Sequence, residues 1–160
     1  MSVAGMTNRS KKRNLTRSEI MSRVRGKNTS PEIFVRKTLC ALGLGGYRLH
    51  RKGLPGKPDI CFVRRRKAIF VNGCFWHGHN CTHGRRLPVT NTDYWCAKIS
   101  GNKRRDIDNA AQLRSLGWSV LTLWECKLKD QKHLSMRLSH FMGDTRTVGR
   151  SVKIKQVVSG

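Results

Sequence analysis

Apolar side chains recur at helical spacing at Phe34, Val35, Leu39 and Leu42, and the spacing then breaks at Gly43. The stretch Asn28-Thr29-Ser30-Pro31-Glu32 in front of it reads as a helix start. Ser30 is placed to cap, Pro31 suits the first turn, and Glu32 complements the helix dipole. Gly43 is a natural stop. A shorter helix is expected over residues 16–24. Tyr47 to His50 is a candidate strand, and Leu54-Pro55-Gly56-Lys57-Pro58 is a turn by composition. Two apolar runs, Asp59–Val63 and Ala68–Val71, flank Arg64-Arg65-Arg66 and predict a hairpin.

From Gly73 to Pro88 no apolar period survives, and Cys, His and Gly dominate. Helical spacing resumes from Thr92 to Leu116, with an interruption expected near Gly101. Ile107, Ala110, Ala111 and Arg114 are expected to share a face, and Gly117 ends the helix. Trp118–Trp124 reads as a buried strand and Gln131–Phe141 as an amphipathic helix. No internal repeat is present. The order of helix, strands, helix, strand and helix predicts an α/β sandwich, with helices covering a short mixed sheet. Residues 1–15 read as a basic arm, 16–142 as the domain, and 143–160 as a basic tail without apolar period.

Charge sharpens this picture. The chain of 160 residues carries 33 Lys+Arg against 9 Asp+Glu, a formal net charge of +24. Such a surface binds polyanions by releasing their counterions, so DNA, RNA and anionic membranes are the partners to consider. No run approaches the roughly 18 apolar residues of a spanning helix, and no apolar stretch follows the basic N-terminus as in a signal peptide. A soluble nucleic-acid-binding protein is expected. Six cysteines without an export signal suggest reduced thiols or metal ligands.

Three places carry candidate chemistry. Asp59, at the start of a strand beside a turn, can bind a hard cation such as Mg2+, which polarises a phosphate. Cys74, His79 and Cys81 offer thiolate and imidazole donors of the kind that hold zinc, and Cys126 and His83 compete for the fourth place. Cys40 and Cys61 lie on apolar segments and are expected in the core. Phe75 and Trp76 are either core anchors or a wedge that unstacks a duplex. His77, between two candidate ligands, is free to move a proton at a phosphate. Lys103, Arg104 and Arg105 are candidates to hold a phosphate backbone without reading sequence.

Taken together, the blocks Leu54-Pro55-Gly56-Lys57-Pro58-Asp59, Ile69 to Cys81 and Trp124-Glu125-Cys126 resemble the very-short-patch repair (Vsr) endonucleases. Arg17-Ser18 with Met21, the helix start Thr29–Glu32, and Lys98-Ile99 with Asn102, Arg105 and Asp106 match as well. The likeness runs from about residue 16 to about residue 140. It implies a restriction-endonuclease-like α/β/α sandwich with a central mixed sheet and a structural zinc site. It implies nicking 5′ of the thymine in a T·G mismatch left by 5-methylcytosine deamination, so that resynthesis restores cytosine.

By position, the resemblance makes Asp59 the main Mg2+ carboxylate, with Val71 helping through its backbone carbonyl. His77 becomes the general base and Glu32 a carboxylate acting through metal-bound water. Cys74, His79, Cys81 and Cys126 become the zinc ligands. Phe75 and Trp76 become the major-groove wedge, Met21 an insertion from the opposite groove, and Lys103 and Arg105 DNA contacts. Two positions depart from pattern. Val71 and Gly73 stand where related nucleases place a carboxylate and a lysine, and Val71-Asn72 where family members can carry Thr-His. A monomer in a bacterial cytoplasm, at the nucleoid and followed by repair proteins, is the expected setting. A zinc-stabilised binding module without catalysis, or a restriction-type nuclease, are the rival expectations.

Overall fold

A computed structural model describes residues 27–143. The expected arm, the helix over 16–24 with Met21, and the tail from residue 144 on lie outside the described residues.

The first helix, α1 (Ser30–Ala41), starts one residue earlier than the sequence suggested, because Thr29 caps it rather than Ser30. Thr29 Oγ1 accepts the Glu32 N–H while the Glu32 carboxylate reaches back to the cap, a reciprocal capping box. The helix closes at Leu42, whose N–H reaches Thr38 O at 3.0 Å, and Gly43 then turns away at φ 69°.

Four strands follow: β1 (Arg48–Leu49), β2 (Ile60–Phe62), β3 (Lys67–Asn72) and β4 (Ser119–Trp124). They form one sheet in the order β1-β2-β3-β4. The β1–β2 and β2–β3 pairs are antiparallel, which includes the expected hairpin, and β3–β4 is parallel. A parallel pair needs a long crossover. The chain supplies it with α2 (Thr82–Arg85) and the long helix α3 (Thr92–Ser115). A 3-10 turn over Glu125–Lys127 leads to α4 (Gln131–Met142).

One face of the sheet holds the main core. Ile60, Phe62, Ile69 and Leu123 pack there with Val35 and Leu39 of α1 and Leu134, Leu138 and Met142 of α4. Each fully buried side chain of this size contributes about 1.5–3 kcal/mol. Strand alternation turns Cys61 and Ala68, both fully buried, to the opposite face. Leu113 of α3 is also fully buried outside that main cluster, and α3 packs on β4. Helices thus cover the mixed sheet on both sides.

Four sequence expectations are corrected. α3 runs through Gly101 without a break, where the glycine faces open space. Its inner face is Trp95, Ile99 and Leu113, while Ile107 is 69% exposed and Ala111 and Arg114 are exposed too. Asn102 and Asp106 take places on that inner stripe, so polar residues disguised it. Cys40 is exposed, being on the outer side of α1. β4 is also less buried than the expected buried strand: Leu123 alone in it is fully covered. No described helix is long and apolar enough to cross a membrane.

Candidate active site

Antiparallel pairing of β2 with β3 sets Asp59, just before β2, and Val71, near the end of β3, at one end of the sheet. The turn before Asp59 places Lys57 in the left-handed region at φ 49°. Asp59 Oδ2 accepts the Val71 N–H at 2.7 Å. Within a strand the N–H and C=O of one residue point to the same edge, so the Val71 carbonyl also faces the Asp59 side. That contact uses backbone alone, and the valine side chain does not oppose it.

Glu32 comes to the same place from the start of α1. It is 5% exposed. Oε1 accepts the Thr29 hydroxyl at 2.9 Å and Oε2 the Asn28 N–H at 3.0 Å. Its first duty is therefore to the helix cap, with lone pairs to spare. His50 completes the group, and the sequence reading did not single it out. Its Nε2 is 3.4 Å from Glu32 Oε2 and its Nδ1 3.7 Å from Asp59 Oδ1. The signal lay in the register: Leu49 pairs with Ile60, so His50 faces Asp59 across the turn. The His50 N–H indeed reaches Asp59 O at 3.1 Å.

Burial raises the Asp59 pKa above the ordinary carboxylate value of 3.8. The Val71 N–H pulls it down, Glu32 pushes it up, and His50 and His77 pull it down. A cation at this point would relieve the desolvation and the Glu32 repulsion together.

His77 arrives on the loop after β3. Its Nδ1 lies 2.6 Å from Asp106 Oδ2 of α3, a partner that the residue types alone did not assign to it. With Nδ1–H donated to Asp106, Nε2 keeps a free lone pair. The loop is fixed by His77 N to Gly73 O at 3.3 Å and by Asn102 Nδ2 to Trp76 O at 2.7 Å. Glu32, Asp59, Val71, His77 and Asp106 all line one cavity of about 570 Å³.

Parallel pairing of β3 with β4 sends Cys74 and Cys126 out at the same end of the sheet. Donor atoms of Cys74, His79, Cys81 and Cys126 lie within 4.8 Å of one another. Four donors around zinc at about 2.0–2.3 Å stand roughly 3.3–3.8 Å apart, so the set fits a closed tetrahedral site. Cys126 Sγ is 3.4 Å from His79 Nδ1, and the Trp124 ring stacks on His79 at 4.4 Å. Burial pushes the Cys74 thiol up to about 12, while the His79 hydrogen bond draws Cys81 down to about 6. His83, the rival fourth donor, is exposed and outside this group.

Phe75 and Trp76 are half-buried against each other at 5.1 Å. Both meet Trp95 of α3, at 5.4 and 6.0 Å, and Tyr94 joins at 5.3 Å from Trp95. Trp95 and Tyr94 were missed because an aromatic pair in a helix start reads as ordinary core. Lys103 and Arg105 are exposed on α3. The Lys103 stem packs beside Gly78, and Arg105 bonds the Asn102 side chain.

Known proteins resemble this chain in sequence. Residues 10–83 match the family described as DNA mismatch endonuclease Vsr. The chain is 48% identical over 126 residues to the Type II nicking enzyme V.XorIIP of Xanthomonas oryzae pv. oryzae, covering 79% of this chain and 91% of that protein. It is 39% identical over 130 residues to the Type II nicking enzyme V.NmeAIP of Neisseria meningitidis, covering 81% and 91%. It is 38% identical over 120 residues to the DNA mismatch endonuclease Vsr of Escherichia coli, covering 75% and 76%.

Proposed function

The chain belongs to the family of Vsr DNA mismatch endonucleases, and from that membership we propose that it nicks one strand 5′ of the thymine in a T·G mismatch. Such a mismatch is what deamination of 5-methylcytosine leaves, and the nick opens very-short-patch repair. The helices and mixed sheet are then those of a restriction-endonuclease-like sandwich. One observation carries the reading: Asp59, Glu32 and the His77–Asp106 pair open onto a single cavity.

Hydrolysis of a phosphodiester needs a deprotonated water, a neutralised phosphate and a stabilised leaving oxygen. Asp59 and the Val71 carbonyl would hold Mg2+, and the ion would supply the last two. His77 Nε2 takes the proton from water, and Asp106 holds the ring to that tautomer and stabilises the imidazolium. Glu32 holds water beside Asp59. Cys74, His79, Cys81 and Cys126 would hold zinc, which would fix the loop that carries His77 without doing chemistry on the strand.

Phe75 and Trp76, backed by Trp95, form a wedge for the major groove. Stacking of this kind contributes about 1–3 kcal/mol per base, enough to favour opening a weak pair over a matched one. Lys103 and Arg105 grip phosphates without reading sequence. One monomer suffices for one nick. Incubation with duplexes differing only by one T·G pair, with and without Mg2+, tests the reading. Nicking of the mismatched duplex only, and only once Mg2+ is added to the metal-free reaction, is expected; equal cutting of matched DNA overturns the mismatch assignment.

A further inference from the structure

We propose that His50 is a nitrogen donor to the divalent cation of the carboxylate site, so that this site takes Mn2+-type cations in preference to Mg2+. The inference rests on the metal-dependent endonuclease reading and adds to it a ligand and a metal class.

Three observations converge. Single donor atoms from Glu32, His50 and Asp59 lie within 4.8 Å of one another. Two different nitrogens of His50 are involved, Nε2 at 3.4 Å from Glu32 Oε2 and Nδ1 at 3.7 Å from Asp59 Oδ1, both beyond the 2.7–2.9 Å of a charge-assisted hydrogen bond, and one ion can take only one of them. Neighbouring ligands around a cation with bonds of about 2.1 Å stand roughly 3.0–3.4 Å apart, a spacing that His50 Nε2 and Glu32 Oε2 meet at 3.4 Å, so Nε2 is the nitrogen that would share an ion. His50 Nε2 is fully buried and has no hydrogen-bond partner among the described residues. A buried polar atom left so is expensive unless a ligand satisfies it.

The backbone points the same way. His50 sits at φ 44°, in the left-handed region that a non-glycine residue occupies at a cost of roughly 1–2 kcal/mol. Such strain persists where the surroundings over-determine it, and it collects at ligand clamps. Asp59 meanwhile commits Oδ2 to the Val71 N–H, and it is Oδ1 that faces His50. The donor set on that side is two carboxylates and one imidazole. Mg2+ prefers oxygen and water, whereas first-row transition cations accept imidazole readily.

The test uses the full-length, zinc-loaded protein and Mn2+ as probe. Electron paramagnetic resonance gives Mn2+ affinity, and pulsed measurements detect ¹⁴N coupling to the bound ion. In the wild type a ¹⁴N coupling is expected. In His50→Gln it should vanish and Mn2+ affinity should fall roughly tenfold or more, with Mg2+ affinity nearly unchanged and zinc content intact. His77→Ala should keep the coupling. Should His50→Gln lose its zinc or fold, Asp59→Asn serves instead: it should abolish both the tight Mn2+ and its nitrogen coupling. Mn2+ bound without ¹⁴N coupling, in a protein that still nicks mismatched DNA, overturns the role of His50 and leaves the endonuclease reading standing. Coupling that survives His50→Gln or Asp59→Asn overturns it equally. Nicking that needs no divalent ion, with no Mn2+ bound, removes the underlying reading as well.

Discussion

Asp106 Oδ2 and His77 Nδ1 stand 2.6 Å apart, joining a helix of the crossover to the loop that follows β3. The pair decides which nitrogen of His77 faces the cavity. An asparagine at 106 can donate its amide hydrogen to Nδ1 and so favours the tautomer with the proton on Nε2. Asp106→Asn should then lower kcat roughly 10²–10⁴-fold, with KM and zinc content little changed. Single-turnover nicking of a mismatched duplex measures this, and a fully active Asp106→Asn would remove Asp106 from the proton path.

Asp59 is held with its pKa above the usual carboxylate range by burial. Its neutral form is therefore favoured by folding, and that stabilisation is complete below the unfolded-state pKa. It is lost as pH rises from about 3.8 through the elevated folded value. Asp59→Asn should melt higher than the wild type at neutral pH without divalent cations, and the gain should shrink toward acid pH. The same substitution should abolish nicking. Thermal melts across pH 3–8 check the sign; an Asp59→Asn that is less stable at pH 7 contradicts it.

Cys126 lies on the far side of the crossover from the other three sulfur and nitrogen donors. Cys126→Ser should release zinc and lower the melting temperature by roughly 5–10 °C, a loss of about 2 kcal/mol in a domain of this size. Metal analysis and a thermal melt decide it. Unchanged zinc content would take Cys126 out of the site.

Gly78 has φ 55°, and a Cβ there would come within 2.4 Å of Lys103 Cε and 2.6 Å of Ile99 Cγ2. Lys103 can swing away, but Ile99 is nearly buried on a rigid helix. Gly78→Ala should cost about 1–3 kcal/mol and displace the loop bearing His77, slowing nicking while Asp59 keeps its cation. Wild-type rates in Gly78→Ala would show that the loop has slack.

The hairpin was legible because three arginines separate two apolar runs, and with it came the place of Asp59. Cys74, His79 and Cys81 were legible from spacing. The residues by themselves left Cys126 and His83 competing; the family resemblance selected Cys126, and the parallel register of β3 and β4, which no local pattern encodes, is what brings it to the other three. His50 was hidden for the same reason: its partner is nine residues away across a turn. The true inner face of α3 was hidden because Asn102 and Asp106 interrupt its apolar stripe, and both are there to hold the loop. Thr29 as the cap could have been found, since counting three residues back from Glu32 selects it over Ser30.

The parallel pairing of β3 with β4 also fixes an order of events during synthesis. A ribosome releases Cys74, His79 and Cys81 before α3 exists, and Cys126 only after β4. The donor set is thus completed only once the long crossover helix and β4 have both been made.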